Sequence, residues 1–367
     1  MFEATTTTLK PLRNDPRITP SARLDPADLC KIRQVSTNYS PFSTTGFPRS
    51  PVAGDPARNL RVLIAPVEAA DAPFTADDRS LLELISAQAS DYFAQESYGR
   101  VRLDVTWVDP PISFSKTVSE LGWDAPGRID RREMIRAARS QLREQDLSDV
   151  DVISFFTPTD DRLDFGVAAF LSDVIDEGPA LNTFIGGPRS TTWTTFAHEL
   201  IHVWLGSADL YDFSDDVEPF FGPWDIMSAG GGNLEMNAWL RWLNGWIDDA
   251  QVRCVDIAGS NVDQSIHFLT PLAEASNDPK MVVVRLTDHS AIVIDSRRTV
   301  TYGVDSWDSD SQVALVYVVD AAIDNGAGPI RLRGELRTMG QTLSTDGVTI
   351  TLIDTRADGD LVTVTVD

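Results

Sequence analysis

At about residue 255 the chain changes texture, and that change divides what it can fold into. Upstream, strand-length apolar runs alternate with helix-length segments. LRVLIAPV begins just after Asn59, VRLDVTWV occupies 101–108 and VDVISFFTP begins at Val150. Between them, Thr75 followed by Asp78 has the form of a capping box opening a helix through about Ser97, and residues 129–145 read as a charged helix. Alternation of this kind predicts an α/β layer. Downstream, SIHFLT, MVVVRLT, AIVIDS, VALVYVV, VTITLI and LVTVTV are short Val, Ile and Thr runs broken by Gly, Asp and Asn. They predict an all-β sandwich. Residues 1–58, rich in Pro, Thr, Ser and Arg, read as an extended N-terminal arm, such as a pro-region leaves behind. The expected division is therefore 1–58, an α/β domain at 59–252 and a β-sandwich at 253–367.

Charge narrows the partners. The 367 residues carry 55 Asp and Glu against 31 Lys and Arg, a formal net charge of -24. Such a chain is repelled by phosphate backbones and anionic membrane surfaces, so no nucleic-acid partner is expected. No run approaches the roughly 18 apolar residues needed to span a bilayer, so no membrane insertion is expected. MFEATTTTLK lacks the basic and apolar regions of a signal peptide, as does a secreted chain whose signal has been replaced by a start Met. The cysteines are an even pair, Cys30 and Cys254, that either form one disulfide or remain two buried thiols. Oligomeric state leaves no signature here.

The chemistry concentrates in AHELIHVWLGSADLYD, residues 197–212. Two of only four histidines, His198 and His202, lie one helical turn apart with Glu199 beside the first. Positions i and i+4 share a helix face, so two imidazoles reach one metal ion while Glu199 flanks the open coordination position. The helix is expected to start near Thr191 or Thr192 and to end at Gly206. Zinc takes three protein ligands in a hydrolytic site, so one more is needed. Asp209 is the first candidate, delivered by a turn past Gly206, and Glu235 the alternative, delivered from a later helix. Asp212, Asp215, Asp216, Glu218 and Asp225 crowd the following loop. They read either as oxygen ligands suited to Ca2+ or as a solvated acidic surface. The run DSWDSDS, with Asp305, Asp308 and Asp310, reads as a solvated loop with the same calcium alternative. A second helix, about 235–246, carries Trp239, Trp242 and Trp246 at core-packing spacing.

Beyond the histidine motif, PWDIMSAGGG at 223–232 sets Met227 in a glycine-rich turn, NAWLRWLNGW follows at 237–246, and DYFAQESYGRVRLDV precedes at 91–105. In this order, with IVIDSRRTVTYGVD and ALVYVVD further on, the chain resembles the immune inhibitor A-type metallopeptidases, a branch of the metzincins. The resemblance covers about residues 59–320. It implies a metzincin-like α/β zinc peptidase domain followed by a jelly-roll-like sandwich, in a secreted endopeptidase acting on protein or peptide substrates. Residue by residue, it implies Zn2+ on His198 and His202, Asp209 as third ligand, Glu199 as general base and Met227 beneath the ion. Tyr211 is the candidate oxyanion contact, or a packed tyrosine after the turn. The chain departs in one respect: Val203, Trp204 and Leu205 separate His202 from Gly206 and put Asp209 seven residues after His202, where the family more often has six. Two other readings use the same residues: a catalytically inactive surface binding protein, and a zinc hydrolase of non-peptide amides or esters.

Overall fold

The computed structural model describes residues 25–36, 43–124, 131–170, 181–212, 220–228, 234–257, 264–298, 301–302, 305–306 and 312–366. The chain is a mixed α/β protein with several sheets. Its strands are β1 (Leu60–Glu68), β2 (Leu103–Trp107), β3 (Ile112–Ser113), β4 (Val152–Phe156), β5 (Phe165–Phe170), β6 (Leu181–Gly186), β7 (Val252–Asp256), β8 (Gln264–Leu269) and β9 (Met281–Arg285). They continue as β10 (Ser290–Arg297), β11 (Thr301–Tyr302), β12 (Asp305–Ser306), β13 (Val313–Asp320), β14 (Ile330–Leu336), β15 (Thr342–Thr345), β16 (Val348–Arg356) and β17 (Gly359–Val366). The α-helices are α1 (Ala76–Glu96), α2 (Val118–Leu121), α3 (Arg131–Arg139), α4 (Trp193–Leu200) and α5 (Ala238–Leu243). None is long and apolar enough to cross a membrane.

The first sheet runs β2-β1-β4-β6-β5, parallel except for β5, which pairs antiparallel with β6 and forms the edge. The Thr75 capping box forms as expected: its hydroxyl accepts from the Asp78 N–H and Asp78 accepts in return, starting α1. Residues 131–139 are helical and pass into a 3₁₀ turn at Ser140–Leu142, while 129–130 lie outside the described residues. Neither β5 nor β6 is legible as an alternating run, and β6 is buried at every position, so it shows no polar face.

From Val252 onward, besides the two-stranded β11-β12 pair, there are two larger sheets. One runs β14-β13-β10-β9-β7 and the other β15-β16-β17-β8. Val282, Val284, Ile292, Ile294, Val316 and Leu336 of the first meet Val348, Ile350, Leu352, Val362 and Val364 of the second in one apolar layer. The opposite face of the five-stranded sheet, with Met281, Val283, Val293, Leu315 and Tyr317, packs into the same core as α1, α4 and α5. Burial on both faces is why VALVYVV is continuously apolar, whereas VTITLI in β16 alternates over one buried face.

The described part of the arm is woven into this core. Cys30 and Cys254 form a disulfide that joins the arm to β7 across 224 residues. Gly54 lies so close to Trp204 that a β-carbon there would overlap the indole. The tryptophans of the second helical segment are core residues, as their spacing predicts, and their indole N–H groups bind the arm and its neighbours. Trp239 donates to the Thr45 carbonyl, Trp246 to the Pro56 carbonyl and Trp242 to Asp249. Here the helix is shorter than the expected 235–246. Residues 234–237 are not helical: the backbone N–H of Met236 goes to Glu96 and that of Asn237 to Asp225, and Asn237 caps the first turn of α5.

His267 in β8 is buried, with Nε2 2.7 Å from the Ser265 hydroxyl. Burial, reinforced by nearby Arg253, pushes its pKa down to about 4. The folded value lies below the unfolded one of about 6.5, so the stabilisation is complete above pH 6.5 and is lost as the pH falls towards 4. The variant His267→Gln is expected to lose about 2 kcal/mol less stability than the wild type between pH 7 and 4.5, measured by urea unfolding. Equal losses would show that His267 does not titrate on unfolding.

Candidate metal centre

Thr192 caps α4, its hydroxyl accepting from the Thr195 N–H, and the α-helix carries His198 and Glu199 on its last turn. From Ile201 to Leu205 the chain continues as a π-helix and ends at Gly206, whose φ of 71° is left-handed. A π turn accommodates one residue more than an α turn. Beyond this wider turn and Gly206, Asp209 returns to the histidines seven residues after His202.

His198, His202 and Asp209 form the one cluster of potential metal-ligating side chains among the described residues. The two Nε2 atoms are 3.0 Å apart, and Asp209 Oδ1 lies 3.0 Å from that of His202 and 3.2 Å from that of His198. On the far side of each ring, His198 Nδ1 is 3.0 Å from the Ile226 carbonyl and His202 Nδ1 is 2.8 Å from the Ser207 carbonyl. A carbonyl can only accept, so each Nδ1 carries the hydrogen and each Nε2 turns a lone pair inwards. With both rings neutral, two lone pairs and a carboxylate oxygen therefore converge. A bound cation would satisfy such a triangle, and its edges are near the roughly 3.3 Å between neighbouring ligands of a tetrahedral zinc. Without a metal, a proton takes that role. Burial opposes charge on His202, but the neighbouring Asp209, with Glu199 and the Ser207 carbonyl, raises it to about 9. Burial likewise opposes charge on Asp209, yet the two imidazoles hold it well below the usual carboxylate range.

Met227 is fully buried. Its turn is tied to the site from both directions, because Ile226 accepts from His198 and the Met227 carbonyl accepts from the Leu210 N–H at 2.7 Å. Asp225 holds the turn from inside the protein. One oxygen accepts the Met227 N–H at 2.8 Å and the other accepts both nitrogens of Asn237, so Asp225 is a buried structural acceptor and not part of a solvated acidic loop. Asp215, Asp216 and Glu218 of that loop lie outside the described residues, as do Asp308, Asp310 and the side chain of Asp305.

Glu235 does not join the histidines. It is fully buried in a separate network, with Arg241 at 3.2 Å and Arg297 at 3.5 Å. Arg241 also binds Glu96 at 2.7 Å and Arg297 binds Asp295 at 2.6 Å. Its carboxylate is thus held by two guanidinium groups as counter-charge, so the alternative third ligand, Glu235, is not brought to His198 and His202, whereas Asp209 is. The ring of Tyr211 stacks on that of His198, with centroids 6.3 Å apart and planes 19° apart.

Glu199 is nearly buried, under the edge strand β5. A β-carbon on Gly166 would lie 2.6 Å from Glu199 Oε1, so the missing side chain at 166 is what admits the carboxylate. Neither this glycine nor the carbonyls of Ser207 and Ile226 stood out in the sequence. Backbone acceptors have no residue-type signature, and Gly166 sits in an apolar run, FGVAAF, with nothing to mark its neighbour. No protein-family model and no curated protein matches this chain.

Proposed function

We propose that the chain is a secreted zinc-dependent endopeptidase. The observation that carries this reading is the convergence of three acceptor atoms, tautomers fixed, beside a carboxylate that is not one of them. His198, His202 and Asp209 would hold the ion. Bound there, zinc supplies a Lewis acid that brings the pKa of water to about 7 and polarises a carbonyl. Glu199 then takes the proton of the attacking water and returns it to the leaving amine, a role that suits a carboxylate screened from solvent. Tyr211, whose ring stacks on that of His198, would meet the developing oxyanion.

A peptide substrate is favoured by β5. It ends its sheet, with no strand on its outer edge among the described residues, and its backbone passes directly over Glu199. An open edge pairs with an extended chain through main-chain hydrogen bonds, which recognises peptide backbone independently of side chains. The Cys30–Cys254 disulfide supports an oxidising compartment.

The test is a substrate panel with the zinc-loaded protein. Cleavage at internal bonds of an unfolded protein, with esters and isolated amides turned over poorly, is expected. Efficient ester or small-amide hydrolysis with protein substrates left intact would overturn the peptidase reading. Placing a methyl group against the general base should also matter: Gly166→Ala is expected to retain zinc and to lower turnover about 10- to 100-fold through misplacement of Glu199. Unchanged turnover would show that the carboxylate is not positioned by that contact.

A further inference from the structure

The sequence divides the chain into a catalytic region and a β-sandwich, and the proposed chemistry resides in the first. The hydrogen bonds around Asp209 cross that division. The Asp209 N–H donates to Asn325 Oδ1 at 2.9 Å, and Asn325 belongs to the loop between β13 and β14. The next residue is held from the same direction. Leu332 N–H of β14 donates to the Phe220 carbonyl, Phe220 N–H to the Leu210 carbonyl, and Leu210 N–H to the Met227 carbonyl, at 2.9, 2.8 and 2.7 Å. A continuous backbone path thus links the edge of the downstream sheet to the methionine turn through Leu210. Arg331 stacks over the ring of Phe220 at 4.1 Å, and Trp224 Nε1 donates to Glu335 at 2.8 Å. The loop that carries Asn325 is itself anchored, because the Ser36 hydroxyl of the arm bonds Asp324.

The segment from Gly206 to Asp209 needs such support. Asp209 stands on an irregular stretch beyond a left-handed glycine, not on a helix or strand of its own, so its backbone has no local ladder to fix it. A ligand carboxylate whose backbone pivots loses geometry at the ion.

We propose that Asn325 is a positioning residue for the third metal ligand, so that the β13–β14 unit of the downstream sheet completes the metal centre. This rests on the zinc reading given above. The side chain acts on Asp209 through the backbone N–H and touches neither metal nor substrate. It is only partly buried at a loop tip, so removing it need not perturb the core.

Zinc dissociation constants, measured by competition with a chromophoric chelator, test this in the wild type, Asn325→Leu and Asn325→Asp. Thermal unfolding of each metal-free protein is followed in parallel. The leucine variant lacks the acceptor and is expected to bind zinc about tenfold more weakly, whereas aspartate keeps an acceptor oxygen and stays within about threefold of the wild type. The metal-free proteins should melt alike. Wild-type affinity in the leucine variant, or a loss that aspartate does not rescue, would overturn the positioning role. A wild type that binds no zinc would instead overturn the zinc reading on which it rests.

Discussion

Glu199→Gln is expected to bind zinc as the wild type does and to hydrolyse peptide bonds about 10²- to 10⁴-fold more slowly. Glutamine preserves the shape beneath β5, where a β-carbon on Gly166 would already collide with the carboxylate, but it cannot accept the water proton. The ligand triangle of His198, His202 and Asp209 is separate from Glu199, so metal content should be unaffected. Steady-state kinetics on a fluorogenic peptide, with zinc content determined on the same samples, makes the comparison. Turnover retained within a few fold would exclude Glu199 as the base. Loss of zinc together with turnover would place it among the ligands.

The second large effect separates Asp209 from Glu235. Asp209→Ala removes one corner of the triangle and is expected to abolish stoichiometric zinc binding while the fold survives, since Asp209 pairs with the two histidines and not with the buried network around Glu235. Glu235→Ala should do the reverse. It takes one shared carboxylate from Arg241 and Arg297, both without solvent exposure, and leaves Glu96 and Asp295 as their counter-charges; removal of one partner from a buried ion pair costs about 3–5 kcal/mol. Denaturant unfolding and zinc content are the two readouts. Zinc retained by Asp209→Ala, or lost from a still-folded Glu235→Ala, would reverse the assignment of the third ligand.

The buried network that claims Glu235 also explains what sequence reading could reach. His198, Glu199 and His202 are legible because helical spacing alone puts them on one face. The first turn of α1 is legible because Thr75 and Asp78 satisfy each other locally. Both signals lie within a few residues. The choice between Asp209 and Glu235 is not local, for it depends on a π turn at Ile201–Leu205 and on guanidinium groups from α5 and β10. That the helix would widen into a π turn at Ile201–Leu205 had no local signal. Similarly, MVVVRLT and VALVYVV announce strands, but not that one face of their sheet packs against the helical region, which makes it part of a shared core. Asn325 is further still from local reading, since nothing in a turn sequence of the form IDNGAGP points to a contact 116 residues away.

The measurement closest to the central claim is zinc per chain in the purified protein by elemental analysis, paired with cleavage of an unfolded protein before and after chelation. The account predicts one zinc per chain, cleavage that stops when the metal is stripped, and recovery when zinc is returned. A chain that takes up no zinc on reconstitution, or that cleaves at full rate without it, would contradict the account.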